Sequence, residues 1–352
     1  MPNQQSILFP YKRFKDHLVD RFALRLRDFG LAHRTEELID LHLDDDMQAM
    51  PIITHDVQER LFAALHSGEP MASIKPKIPL EDASTHKGMF RVLVRTRMNS
   101  SGINNVSRGN SDGGKTLSPR ILNFTETLDL DHQYTPEELV SKWLKYAKSV
   151  AVNATAGAEY EDRDIAALGR LKYALDQKNC DEDIRLRLSP YKLNERFNSG
   201  KEINGFYGWV AIVATVATGL RFLQGNRWRI YAEATQNPRL DHDHVNALIN
   251  TVKRRVLGFQ YALAGSYLAD MGGVRFVKDD THVRAFGVAS DPALRDARAR
   301  VQFVFTQAEK CGVSPRALDK LMYMAGSGHM PLIGLKFKDG TRIKKEMLCC
   351  LV

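Results

Sequence analysis

The segment Val277-Lys278-Asp279-Asp280-Thr281-His282-Val283 places two carboxylates and an imidazole where the flanking pattern predicts the start of a helix. Asp280 falls at the N-cap position, with Val283 and Phe286 on the inward face. A carboxylate at that point accepts from the first amides of the helix, and those amides and the helix dipole both favour the anion. An ionised carboxylate so held can also stabilise a neighbouring positive charge and orient or deprotonate a water molecule. Asp279, one residue earlier, sits off the cap. His282 is placed to bond a phosphate or to steady the loop, and Lys278 and Arg275 lie on the same stretch as possible phosphate contacts. The other cluster with chemical potential is Leu240-Asp241-His242-Asp243-His244. Its two histidines are two residues apart and so do not share a helical face, and Asp241 or Asp243 is better explained as a cap, so no metal site is expected.

The elements that must position Asp280 begin with a helix over 241–256 ending in Lys253-Arg254-Arg255. Gly258 breaks it, and a second helix over 261–271 follows, with Ala264, Tyr267, Leu268 and Met271 on its apolar face and Gly272 or Gly273 as its C-cap. Residues 256–272 therefore read as a helix, a tight turn and a helix. Amides in such a turn and at the second helix's start can grip a phosphate without reading sequence, which makes Gly258 and Gln260 candidate nucleic-acid contacts beside Lys253, Arg254 and Arg255. Further helices are expected at 163–178, 206–223, 281–288, 292–311 and 314–325. Thr135-Pro136-Glu137-Glu138 reads as a capping box, with Tyr134 and Leu139 as its staple. The fold class expected is mainly α.

Two regions are expected. Residues 1–125 read as a mixed α/β region: Phe14, Leu18, Val19 and Phe22 recur at helical spacing, as do Val57, Leu61 and Leu65, whereas Met89–Met98 reads as a strand. Residues 99–119, dense in Gly, Ser and Asn, read as a flexible loop. Residues 126–352 form the helical region and end in a β-hairpin at Asp339-Gly340.

A chain of 352 residues with 43% hydrophobic and 26% charged content is globular, and its net charge of +8 favours an acidic partner, nucleic acid first. Four cysteines with no metal-ligand spacing fit a reducing, cytoplasmic setting. The most apolar stretch, 203–220, is interrupted by three glycines and two threonines, so no membrane span is expected. The terminal Cys349-Cys350-Leu351-Val352 is read as structural rather than as a prenylation signal. No P-loop, nucleophile elbow or dinucleotide fingerprint is present.

The turn at 256–272 followed by Asp280-Thr281-His282-Val283 resembles the helix-hairpin-helix DNA glycosylase superfamily, in which a D-x-H-V segment after the hairpin carries the catalytic aspartate. The segment 314–328 is similar to a closing helix that shapes the base pocket in such enzymes. The matching stretch covers about residues 250–328. The resemblance implies a monomeric, monofunctional enzyme that flips a damaged or modified base out of double-stranded DNA and hydrolyses its N-glycosidic bond, with Asp280 under the sugar and no cofactor. Base-pocket candidates are Phe206, Tyr207, Trp209, Tyr261, Ser266 and Tyr323, with Gln224-Gly225-Asn226 as a wedge into the duplex. Where lyase-active members carry a Schiff-base lysine, this chain has Ala262, so no lyase activity is expected; the second hairpin glycine is Gln260, and the iron–sulfur cysteines are missing. The N-terminal elaboration points by analogy to bacterial antiphage glycosylases acting on modified phage DNA. Two alternatives stay open: a non-catalytic helix-hairpin-helix DNA-binding protein with Asp280 only a cap, and a metal-dependent nuclease built on 240–244.

Overall fold

A computed structural model of the chain describes residues 9–98, 124–132, 134, 138–139, 142 and 206–336, with backbone alone at 98 and 206–214. The described residues are mainly helical. In chain order the helices are α1 (Tyr11–Leu26), α2 (Thr35–Leu43), α3 (His55–His66), α4 (Met71–Ile74), α5 (His86–Met98), α6 (Phe206–Leu223), α7 (Arg227–Gln236), α8 (His242–Arg255), α9 (Tyr261–Asp270), α10 (Thr281–Ser290), α11 (Ala297–Cys311) and α12 (Pro315–Ser327). Two short strands, β1 (His329–Met330) and β2 (Leu335–Lys336), pair antiparallel with His329 opposite Lys336. None of the described helices is long and apolar enough to cross a membrane.

The expected strand at 89–98 is instead most of α5, and among the described residues of 9–98 the extended pairing is a single bridge, Pro51 to Leu80. An α/β character for this region is therefore corrected to helical. Met89, Phe90, Val92, Leu93 and Val94 are all buried and read as a strand by composition, while Lys87, Arg91 and Arg95, four apart, form the less buried charged stripe of the helix. The local signal was Thr85, whose hydroxyl accepts the Gly88 amide at 3.0 Å as an N-cap does. The Asp339-Gly340 hairpin, the 99–119 loop, the 163–178 helix and the Thr135-Pro136 cap lie outside the described residues.

The chain forms two compact units, each discontinuous in sequence. The first comprises Met1–Asp82, Glu233–Asn246 and Gly265–Val352. Its centre is α12, which packs against α1, α2, α10, α11 and β1. In α1 the residues Phe14, Leu18, Phe22 and Leu26, four apart, give one buried stripe. Phe14 meets Phe9 at 4.7 Å and Phe286 of α10 at 5.6 Å between ring centroids, so the N-terminal helices share a core with the helix that follows Asp280. Nearly all of α12 is buried, including Arg316, Asp319 and Lys320.

The second unit comprises Ala83–Ala232 and Ala247–Ala264. Here α5 packs on α6, close enough at Gly219 that a Cβ would lie 2.9 Å from Leu93 Cδ2. Trp228 of α7 stacks on His86, and Arg229 lies over the indole.

Candidate functional site

Asp280 caps α10. One oxygen, Oδ1, accepts both the His282 amide at 2.7 Å and the Val283 amide at 3.2 Å, and Val283 and Phe286 are buried behind it. The other oxygen, Oδ2, lies 4.0 Å from Lys278 Nζ, and the side chain keeps 14% of its surface exposed. A single helix start thus leaves the second oxygen of a charged carboxylate outside the cap.

Asp279 has a different environment. It is buried and meets Arg300 of α11 in a two-pronged pair, Nε to Oδ1 at 2.6 Å and Nη2 to Oδ2 at 2.7 Å. The remaining guanidinium nitrogen donates to the Leu294 and Arg295 carbonyls. The hydrogen bond to Asp279 holds Arg300 above its usual range. Both oxygens of Asp279 are engaged in the fold, so Asp280 is the carboxylate of the two with an oxygen to offer.

The α9 C-terminus is a Schellman motif: the Gly272 amide bonds to Ala269 O at 2.9 Å and the Gly273 amide to Leu268 O at 3.3 Å, with Gly272 at φ +90°. Gly273 is needed for space, because a Cβ there would sit 2.5 Å from Phe276 and 2.7 Å from Leu268 O. Ala264, Tyr267, Leu268 and Met271 are buried as their spacing predicts.

The turn between α8 and α9 belongs to the second unit. Gly258 has φ +82°, and a Cβ there would lie 2.6 Å from Arg97 Nε. The Leu257 amide donates to Thr218 Oγ1 at 3.0 Å, the Thr215 hydroxyl donates to Leu257 O at 2.9 Å, and the Phe259 amide closes on Val256 O. The Leu257 and Phe259 amides are therefore committed inside the protein and do not serve an incoming phosphate. Gln260 and Arg254 are exposed, and Lys253, Arg255 and Tyr261 are half-buried.

Near Asp280 within the first unit, the His282 ring meets Tyr323 edge-on at 5.7 Å and lies against Gly326, where a Cβ would be 2.1 Å from Nδ1. The Tyr323 hydroxyl is 2.9 Å from His329 Nδ1. Burial raises the Tyr323 phenol and lowers His329 to about 4, so the pair is neutral near neutral pH. His329 is a neighbour that the sequence reading missed; no spacing signal links it to Asp280. Ser266 is buried and its hydroxyl donates to Asp270 Oδ2 at 3.2 Å, which makes it part of an ion network and not a pocket wall. Phe206, Tyr207 and Trp209 lie on α6 at positions described by backbone alone. Gly225, at φ +62°, and Asn226 are exposed at the break between α6 and α7, with Gln224 half-buried beside them.

In the 240–244 cluster, Asp241 is the cap of α8, accepting the His244 amide at 2.9 Å, and His242 turns its ring onto Phe305. Among the described residues no group of three His, Cys, Asp or Glu side chains is arranged to hold a metal ion. Set against known proteins, the chain matches no family model, no curated protein and no solved structure.

Proposed function

We propose that this chain is a monofunctional DNA glycosylase of the helix-hairpin-helix kind, which everts a damaged or modified base, such as one in phage DNA, and hydrolyses its N-glycosidic bond. The observation that carries the reading is the division of labour within Asp280. Oδ1 takes the two α10 amides, Oδ2 remains outside the cap, and the residue follows the α8–turn–α9 hairpin by way of a Schellman stop. Departure of the base leaves positive charge on the deoxyribose, and an ionised carboxylate beneath the ring stabilises it and orients the attacking water. In this reading Lys253, Arg254, Arg255, Gly258 and Gln260 hold the DNA backbone, Lys278 and His282 hold phosphate near the reacting sugar, and Tyr323 contacts the everted base. No cofactor takes part. Ala262 supplies no amine for a Schiff base, so the product is an abasic site rather than a cut strand.

The test is incubation with duplexes carrying varied base modifications, followed by heating in alkali. Strand breaks that require alkali are expected, and Asp280→Asn should reduce their rate by roughly 10²–10³-fold while DNA affinity holds. Breaks that require a divalent metal, or DNA binding with no alkali-labile site on any duplex, would overturn the proposal.

A further inference from the structure

Residues 271–280 reach the α10 cap without regular secondary structure, so something else must fix their path. Met271, Phe276 and Val277 anchor the segment by burial. Beyond them a polar chain runs to the cap. Asp319 of α12 accepts the Lys278 amide on Oδ2 at 3.2 Å, and the carbonyl of that same Lys278 accepts the Asp280 amide at 2.7 Å. One residue therefore bridges Asp319 to Asp280.

Asp319 is itself held. Arg316 Nη1 donates to the same Oδ2 at 2.8 Å, while Nη2 reaches Asp270 Oδ1 at the end of α9, also at 2.8 Å. The Arg316 amide donates to Val274 O at 3.1 Å. One guanidinium and two carboxylates thus tie the end of α9, the connecting segment and the start of α12 together. Asp319 is 2% exposed, and burial pushes its carboxyl up to about 6 against the pull of Arg316, with Asp280 adding to the rise. Apolar residues of similar volume commonly serve stability as well as a buried ion network does, so stability alone is a weak account of this one.

We propose that Asp319 is a positioning residue for Asp280, fixing through Lys278 the peptide units that aim the capping carboxylate. This rests on the reading of Asp280 as the reacting carboxylate. Because a single oxygen, Oδ2, takes both donors, Asp319→Asn keeps an acceptor for them, whereas Asp319→Leu keeps none.

The experiment compares wild type, Asp319→Asn and Asp319→Leu in the full chain, by single-turnover base release, DNA affinity and hydrogen exchange of the Lys278 and Asp280 amides. For Asp319→Leu the expected result is base release slowed by roughly 10²-fold, with DNA affinity held within about threefold. The two amides should exchange at least tenfold faster, by roughly that order, while exchange elsewhere is unchanged. Asp319→Asn should stay within about threefold of wild type on every measure. Should the leucine variant not fold, Asp319→Ala, which leaves room for water around Arg316, takes its place. Wild-type base release in the variant lacking the acceptor overturns the proposal, as does exchange that rises across the whole chain or an asparagine variant as slow as the leucine one. If the wild-type chain releases no base, the Asp280 reading falls separately, and the exchange measurement still decides whether Asp319 sets this turn.

Discussion

Asp279 and Asp280 are adjacent in the chain, yet Arg300 meets only the first. Which of the two caps α10 is readable in the sequence, because Val283 and Phe286 fix the inward face and the cap falls three residues before Val283. That the other is buried and paired is not readable, since its partner lies 21 residues away on α11 with no spacing rule to connect them. The different surroundings predict different costs. Arg300→Leu leaves Asp279 as an uncompensated buried charge and should destabilise by about 3–5 kcal/mol. Asp280→Ala removes a cap and should cost about 1 kcal/mol. Denaturant midpoints of the two variants check this ordering, and the reverse ordering would show that the buried pair is less important to the fold than its geometry implies. The same comparison separates the stability role of Asp280 from its proposed chemical one, because Asp280→Asn is read by base release and not by midpoint.

At the scale of elements, the turn between α8 and α9 is held from below by α6. The Thr218 hydroxyl accepts the Leu257 amide, the Thr215 hydroxyl donates to the Leu257 carbonyl, and all three residues are buried. Thr218→Val keeps the shape and removes the acceptor, so a buried amide loses its partner at a cost of about 1–3 kcal/mol; Thr218→Ser should recover most of it. Chemical denaturation of both variants measures the difference, and a valine variant as stable as wild type would mean that the amide finds another acceptor. The helices α6 and α8 to α12 were readable because punctuation accompanied much of their periodicity, with Asp241, Asp280 and Ser314-Pro315 at N-termini and Gly272 at a C-terminus, whereas α7 (Arg227–Gln236) was not among the expected helices. The expected start of α11 at 292 moves to Ala297 because Asp296 takes the cap, accepting the Ala299 amide at 3.0 Å. In α5 the strand-like composition of Phe90, Val92, Leu93 and Val94 outweighed the four-residue spacing of Lys87, Arg91 and Arg95, which marks the less buried side of the helix. The Thr215 and Thr218 contacts were invisible from sequence, since they join residues about 40 positions apart.

At the scale of the molecule, residues 9–82 and 265–336 build one core around α12, a fact carried entirely by contacts distant in sequence. That core encloses ionisable groups which local patterning could not place inside. His42 of α2 is fully buried; its Nδ1–H donates to Leu38 O at 2.6 Å, and its Nε2 accepts the Leu332 amide at 3.1 Å. A proton on Nε2 would face that amide, and burial lowers the ring to about 3. His329 is lowered to about 4, again by burial. Each folded pKa lies below its unfolded value of 6.5, so each contributes stability that is present above pH 6.5 and lost as pH falls towards the folded value. Asp319 opposes them: its folded value of about 6 exceeds 3.8, so the native state binds that proton first and gains stability between about 6 and 3.8. Burial also lowers His86 and His242, so four histidines stand against one carboxyl and the unfolded chain binds more protons below pH 6.5. Each net proton changes stability by about 1.4 kcal/mol per pH unit, so a loss on the order of 1–3 kcal/mol is expected between pH 7 and 5. His42→Gln keeps an acceptor for the Leu332 amide and does not titrate, which removes the share of His42 and leaves His329, His86 and His242 against Asp319. The denaturant midpoint should therefore fall from pH 7 to pH 5 for the wild-type chain and fall by less for His42→Gln. Equal midpoints for the wild type at the two pH values, or an undiminished fall in the variant, would remove His42 as the source of acid sensitivity.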